Sequence, residues 1–152
     1  TAPAAPTIAR PGVTPATRRK LFVNLPVADL QRAVTFFEAL GFTFNPHFTD
    51  HTATCMLVGE DAYAMLLTHD RFRGFSRRPI GDATRETNLM LAVGLESRAA
   101  VDAMVHAALA AGGSPATPPE DHGFMYQWSF YDPDGHPWSP FWFDPAAEPP
   151  RA

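Results

Sequence analysis

The stretch Tyr-Asp-Pro-Asp-Gly-His-Pro-Trp-Ser, residues 131–139, decides the fold of this chain. Pro133 fixes φ at one turn position, the aspartates on either side of it bond back to the local backbone, and Gly135 tolerates positive φ. The aromatic residues before and after the turn favour strands. The stretch therefore predicts a β-hairpin with a tight turn between two aromatic strands.

The segments on the N-terminal side of this hairpin show the same order of elements twice. Caps, turn residues and hydrophobic alternation predict a strand at 21–27, a helix at 30–40 and strands at 42–48, 52–58 and 62–68. They then predict a strand at 88–95, a helix from the Ser97 cap to about Ala111, and strands at 114–117, 123–131 and 136–143. A duplicated βαβββ unit and an α+β fold follow from this order.

The segments between and beyond these elements complete the expected organisation. We expect a flexible Ala- and Pro-rich tail at 1–19, a first βαβββ module at 20–68, a polar, mobile connector at 69–86, a second module at 87–144 and a C-terminal tail at 145–152. The modules together are long enough to bury a core without disulfides or metals.

Composition excludes several classes of protein. The net charge is −4 and the 12 Lys and Arg residues are scattered, which argues against nucleic-acid binding. No apolar run reaches the length of a membrane span, and no signal peptide is predicted. A single cysteine, Cys55, rules out an internal disulfide and suits a reducing compartment. We therefore expect a cytoplasmic protein whose partner is neither a nucleic acid nor a membrane.

Four segments together resemble one known family. They are residues 22–30, 36–42 and 121–126 and the 131–139 hairpin, and they are similar to the glyoxalase, bleomycin-resistance and extradiol-dioxygenase proteins of the vicinal oxygen chelate superfamily. The resemblance implies two βαβββ modules that form a curved mixed sheet cup with helices on the convex face. It also implies a homodimer, since members complete or shield their cups across a two-fold interface.

The resemblance places four metal-ligand positions on the inner strands of the cup. In this chain they are Phe22, Leu66, Met90 and Ser139, whereas the family uses His, Gln or Glu. Phe, Leu, Met and Ser are poor ligands for a hard divalent ion. We therefore expect no catalytic metal and no other cofactor, which removes the Lewis-acid chemistry of the glyoxalases and dioxygenases.

Strand alternation indicates what lines the cup instead. A four-residue loop at 132–135 would place Tyr131 opposite His136, and the continuing ladder would pair Trp128 with Ser139 and Tyr126 with Phe141. The residues expected to touch a ligand are Phe22, Asn24, Leu66, Asn88, Met90, Tyr126, Trp128, Ser139 and Phe141. Such a lining suits a small, largely apolar molecule, although the same rings could simply fill the core.

Two classes of function follow, with a third if the cup is filled. One is a binding protein whose metal-free, aromatic-lined cup holds a small molecule. The alternative is an enzyme, either a glyoxalase-like lyase or isomerase or a dioxygenase type. The third is a protein-interaction module. No catalytic residue is assigned; the one candidate is His122, as an acid, base or hydrogen-bond donor, and its structural alternative is a bond to Asp121 or the backbone.

Overall fold

The computed structural model describes residues 18–147. The tails expected at 1–19 and 145–152 lie outside this range, apart from residues 18–19 and 145–147. Within it, no helix is long and apolar enough to cross a membrane.

The first module contains a four-stranded sheet and one helix across it. Its elements are β1 (Leu21–Val27), α1 (Leu30–Ala39), β2 (Thr43–Asn45), β3 (Ala53–Leu57) and β4 (Ala62–Thr68). The strand order is β1-β4-β3-β2, with β1 parallel to β4 and the other pairs antiparallel. Helix α1 begins where the Asp29 carboxylate accepts the Arg32 amide at 3.1 Å, and it ends before Gly41, whose φ is +96°.

The second module repeats this plan with shorter strands. Its elements are β5 (Leu91–Gly94), α3 (Arg98–Ala110), β6 (Ser114–Pro115), β7 (Glu120–Asp121), β8 (Met125–Gln127), β9 (Phe130–Tyr131) and β10 (Pro137–Phe143). Strand β5 is parallel to β10, and β8 and β9 both pair antiparallel with β10. The expected fold class, two βαβββ modules with curved mixed sheets, is confirmed.

Strands β8 and β9 are two segments of one strand. They keep one register against β10, with Gln127 opposite Phe141 and Phe130 opposite Trp138. Between them the Trp128 amide donates to the Pro140 carbonyl at 3.1 Å. Pro140 has no amide hydrogen to return, so the ladder is interrupted there.

The segment expected to be a mobile connector contains a helix. This helix, α2 (His69–Phe75), follows β4 directly, and its first turn is capped by the Thr68 hydroxyl, which accepts the Arg71 amide at 3.3 Å. It packs against β1 and β4. The connector proper is therefore the stretch 76–90 between α2 and β5.

One hydrophobic core is shared by both modules. The sheet faces that point toward α1 and α3 carry Leu25, Leu66 and Trp138, each 1% exposed or less. From α1, the Phe37 ring lies 5.1 Å from the Trp138 ring and the Phe36 ring lies 6.1 Å from the Phe130 ring. Because α1 belongs to the first module and both partners to the second, these contacts tie the modules together.

The hairpin of residues 132–136 also joins the modules, and we call it the hairpin junction. The His136 Nε2 donates to the Pro26 carbonyl at 2.8 Å, and the Asp134 carboxylate accepts from the Ala28 amide at 2.8 Å and from Arg32 at 3.0 Å. Its acceptors and donors thus reach the β1–α1 corner of the other module. The polar residues of this hairpin therefore stabilise the contact between the two modules.

Asp132 holds the hairpin junction together from inside. It is 3% exposed, and its carboxylate accepts from the Asp134 amide at 2.9 Å, the His136 amide at 3.0 Å and the Trp138 indole at 3.0 Å. Burial raises the pKa of the Asp132 carboxyl, while nearby His136 and the Trp138 donor oppose that shift.

Candidate functional site

The side of the first sheet that faces away from α1 is open where β1 and the start of β4 meet, and we call it the first open face; Cys55 and Leu67, further along this side, are buried. Alternation along β1 and β4 puts Phe22, Asn24, Tyr63 and Met65 on it. The Phe22 and Tyr63 rings are stacked, with centroids 4.6 Å apart and an interplanar angle of 13°. Phe22 is nevertheless 44% exposed, so this aromatic pair presents a flat apolar surface to solvent.

The corresponding side of the second sheet, the second open face, carries more rings. Ser139, Phe141 and Phe143 project from β10, with Ala92 and Gly94 beside them on β5. The Phe141 and Phe143 rings meet edge to face at 5.2 Å, and Phe143 is 41% exposed. A Cβ at Gly94 would lie 3.2 Å from the Phe141 ring, so this glycine lets the ring lie flat on β5.

Neutral polar groups accompany these rings. Asn24 lies on the first open face, and Ser139 and Gln127 lie on the second, because Gln127 is the partner of Phe141. Amide and hydroxyl groups can orient a ligand by hydrogen bonds without carrying charge. The two faces therefore combine flat apolar area with a few uncharged donors and acceptors and one carboxylate, Glu120, which is opposite Gln127 and accepts from its side chain at 2.7 Å.

Leu66 was expected on this lining, and that expectation is wrong. It is fully buried and belongs to the core under α1. Its parallel partner is Leu25, which also points toward the helices, so the cup-facing neighbours on β4 are Tyr63 and Met65.

Tyr126 and Trp128 were also expected on the open side, and both lie on the helix side instead. The Tyr126 hydroxyl donates to the Asp102 carboxylate of α3 at 2.5 Å, and the Trp128 ring meets His106 of the same helix at 5.3 Å. The cause is the register: Tyr126 is opposite Trp142, not Phe141. A slip of one residue moves every side chain of a strand to the other face.

The hairpin geometry explains this register. The Asp132 amide donates to the His136 carbonyl at 3.0 Å, so Asp132 is opposite His136 and the loop is Pro133–Gly135, with Gly135 at φ +92°. Tyr131 is consequently opposite Pro137, whereas the sequence had suggested His136. Of the residues on the C-terminal strand, Ser139 and Phe141 keep their expected face.

Asn88 and Met90 precede β5 and are not part of the strand. Met90 is 72% exposed and lines an apolar cavity of 280 Å³ between the β1 and β5 edges, with Leu21, Val23 and Leu91 also in its wall. Asn88 is exposed and lines a smaller cavity beside the hairpin junction. Neither residue lies among the rings of the second open face.

His122, the candidate catalytic residue, occupies a turn on the surface. Its Nε2 lies 3.6 Å from a Glu120 carboxylate oxygen, and its backbone amide donates to the Met125 carbonyl. Both contacts are made within the turn between β7 and β8, next to the ion pair in which Arg98 lies 2.6 Å from Asp121. These contacts stabilise the turn between β7 and β8, and none of them indicates a catalytic role for His122.

The donor set of the open faces does not suit a divalent metal. Phe22 and Ser139 remain at positions where the resemblance implies ligands, while Leu66 is buried beneath α1 and Met90 is outside the strand. Among residues 18–147, no three His, Cys, Asp or Glu side chains are grouped as metal ligands. One hydroxyl, two amides and the Glu120 carboxylate, which accepts from Gln127 at 2.7 Å, are too few strong ligands for such an ion.

Replacing Tyr126 with Phe should change stability in a pH-dependent way. The bond to Asp102 raises the pKa of Tyr126 from 10 to about 12. Below pH 10 the phenol is protonated in both states, so the variant should lose about 1 kcal/mol of unfolding free energy. Between pH 10 and 12 only the unfolded state releases this proton, so wild-type stability falls as pH rises and the difference should shrink.

Urea unfolding at pH 8 and pH 11 measures both values. Tyr131→Phe, at a tyrosine outside this hydrogen bond, is the matched control. An equal loss for Tyr126→Phe at both pH values would contradict the prediction.

Comparisons with known proteins agree with this architecture. Residues 19–59 match the family model for the bleomycin resistance protein-like N-terminal region. No curated protein shows significant sequence similarity to the chain. Among solved structures, a hypothetical protein from S. aureus is 26% identical with a TM-score of 0.69, covering 82% of this chain and 94% of its own.

Two further solved structures carry family descriptions. A glyoxalase/bleomycin resistance protein/dioxygenase family enzyme from Burkholderia phytofirmans is 18% identical with a TM-score of 0.67, covering 80% of this chain and 96% of its own. The chain has the vicinal oxygen chelate fold. A fosfomycin resistance protein from Mesorhizobium loti, 16% identical with a TM-score of 0.58, covers 85% of this chain and 92% of its own. At these identities the likeness extends to the vicinal oxygen chelate fold alone.

Proposed function

We propose that this protein binds a small, largely apolar, flat molecule on its open faces without a metal. The observation that carries the proposal is the exposure of stacked and edge-to-face rings on both faces, Phe22 with Tyr63 and Phe141 with Phe143. Monomeric proteins seldom leave such rings uncovered without a use for them. Flat aromatic ligands gain both buried area and ring contacts from such a surface.

The groups between the rings favour binding over catalysis. Asn24, Gln127 and Ser139 are uncharged and lack the proton-transfer chemistry of imidazole or carboxylate near neutral pH. The buried Asp132 and His136 are engaged in the hairpin junction. The Glu120 carboxylate, opposite Gln127 on the second open face, accepts from the Gln127 side chain at 2.7 Å, so the lyase, isomerase or dioxygenase alternative would need this carboxylate to be released or a further acid–base group.

A second copy of the chain is the proposed cover for the open faces. Phe22 and Phe143 are each more than 40% exposed, whereas the opposite, helix-facing sides of both sheets pack into the shared core. Two-fold symmetry would let an open face of one copy enclose a ligand against an open face of the other. Light scattering should give twice the 16.6 kDa chain mass at micromolar concentration. A monomer at that concentration would contradict the homodimer.

Phe141→Ala tests the ligand site. With 2-naphthol as a neutral bicyclic probe, the Kd should rise about tenfold, since a stacked ring contributes roughly 1–2 kcal/mol. Phe75→Ala, at an exposed ring on α2 that belongs to neither ring pair, should leave the Kd within about twofold. The ε-methyl resonance of Met125, opposite Phe143 on the second open face, should shift on binding, while that of Met104, packed against the core from α3, should not.

Binding without a Met125 shift, or equally weakened by Phe75→Ala, would refute the site. The absence of a metal is tested separately by elemental analysis of protein purified without chelator, and by adding Zn²⁺, Ni²⁺ or Mn²⁺ in a glyoxalase assay. One bound ion per chain at Ser139, or metal-dependent turnover, would replace the binding function with the metalloenzyme.

A further inference from the structure

A second cavity, of 470 Å³, lies beside the hairpin junction and away from the aromatic rings of the open faces. Its wall includes Arg32 of α1 and both His69 and Arg73 of α2. His69 and Arg73 are four residues apart on one helix, so they share a face. Three basic side chains from two elements thus converge on one space.

The guanidinium groups retain hydrogen-bonding capacity toward this space. Arg32 uses one terminal nitrogen for Asp134 at 3.0 Å, and Arg73 uses one for Asp70 at 2.8 Å. Each guanidinium has five N–H donors in a planar fork that matches the oxygens of a phosphate or a carboxylate. Both side chains are about half exposed, so they are accessible from solvent.

Two acidic residues line the same cavity, and both are engaged. The Asp134 carboxylate is almost buried and accepts from the Ala28 amide as well as from Arg32. One oxygen of Asp82 accepts the amide and the hydroxyl of Thr84. Together with Asp70, the partner of Arg73, these carboxylates balance the charges of the two guanidinium groups, so the space offers directed N–H donors rather than net positive charge.

The rest of the wall is largely apolar, although Thr84 and His136 also line it, and His136 donates to the Pro26 carbonyl. Pro26, Ile80, Ala83 and Pro133 contribute nonpolar area next to the basic groups. The connector lines the cavity with residues 80–84 and touches the hairpin closely, since a Cβ on Gly135 would lie 2.7 Å from the Ala83 carbonyl. The cavity is thus framed by both modules and by the segment that links them.

We infer that this cavity binds the anionic group of a small molecule, a phosphate or a carboxylate, between Arg32, His69 and Arg73. The apolar wall accepts the remainder of that molecule. This site is separate from the open faces, so its occupancy does not depend on the function proposed for them.

Titration of ¹⁵N-labelled protein with inorganic phosphate, and separately with acetate, tests the inference and distinguishes the two anions. The Arg32 and Arg73 side-chain and His69 ring resonances should shift in a saturable way. Arg73→Met should raise the Kd about tenfold, by loss of charge-assisted hydrogen bonds at a half-exposed site. Asp82→Asn should lower it about twofold by removing a repulsive charge.

Arg77→Met is the matched control, because Arg77 is exposed just beyond α2 and does not line the cavity. Its Kd should stay within about twofold of wild type. Circular dichroism checks that each variant is folded. Non-saturating shifts, shifts that miss His69 and Arg73, or an equal loss in Arg77→Met would overturn the anion site.

Discussion

Replacing Asp132 with Ala is expected to lower the unfolding free energy by about 3–5 kcal/mol, because three buried donors lose their acceptor and each unsatisfied donor costs about 1–3 kcal/mol. The carboxylate is 3% exposed and accepts from two backbone amides and the Trp138 indole. Without it, all three donors lose their acceptor in a site that has little access to solvent. Urea unfolding of the two proteins measures the difference.

Asp132→Asn distinguishes the contribution of the Trp138 indole from that of the two backbone amides. The amide oxygen can still accept from the Asp134 and His136 backbones, but the amide nitrogen would meet the Trp138 N–H, a donor against a donor. We expect about 2 kcal/mol of loss, and a smaller additional loss when Trp138→Phe removes that N–H as well. Strictly additive losses would show that the indole bond does not contribute. Asp144→Ala, at an exposed turn near the end of the described chain, is the control and should cost about 0.5 kcal/mol.

Phe37→Ala should cost about 3–5 kcal/mol, since it opens a cavity in the shared core. The ring is 1% exposed and meets Phe36 at 4.9 Å, Phe42 at 5.8 Å and Trp138 at 5.1 Å. Phe48→Ala, at a ring that is 62% exposed, removes the same atoms outside the core and should cost less than about 1 kcal/mol. Thermal or urea unfolding compares the two. Similar losses would mean that α1 does not carry the contact between the modules.

Features set by local chemistry could be predicted from the sequence. Asp29 and Ser97 cap their helices as expected, each accepting an amide three residues on, and Gly41 and Gly112 follow the helix ends with positive φ. Strands β1 and β4 have the expected bounds. These features depend on neighbours within a few residues, so short patterns are enough to identify them.

The lining of the site depended on register, which local patterns specify poorly. The hairpin sequence allows either a four-residue loop or a three-residue loop with Gly135 in the left-handed region, and the two differ by one residue. That choice moved Tyr126 and Trp128 to the helix side and brought Gln127 to the open face. The aromatic residues on both faces of β10 gave no alternation that could settle it.

Other features were not predicted, although the sequence contains signals for two of them. Helix α2 is short and polar, although the Thr68 cap and Asp70 in its first turn are helix-start signals. The faces of β4 could have been predicted from its parallel neighbour β1. Leu66 is opposite Leu25, which faces the helices, so alternation along β4 places Leu66 on the helix side and Tyr63 on the open side. The cavity at Arg32 and Arg73 joins residues that are distant in sequence, so no local pattern marks it.

The shared core has a consequence for what counts as a folding unit. Arg77 and Arg78 are exposed in the connector, so a protease that cuts after arginine could sever the chain between the modules. The Phe37–Trp138 packing and the His136–Pro26 bond would still hold the two fragments together. Separately expressed halves, each with half of the apolar interior exposed, should fold only on meeting. The βαβββ module, although it is repeated along the chain, is thus not an independent folding unit.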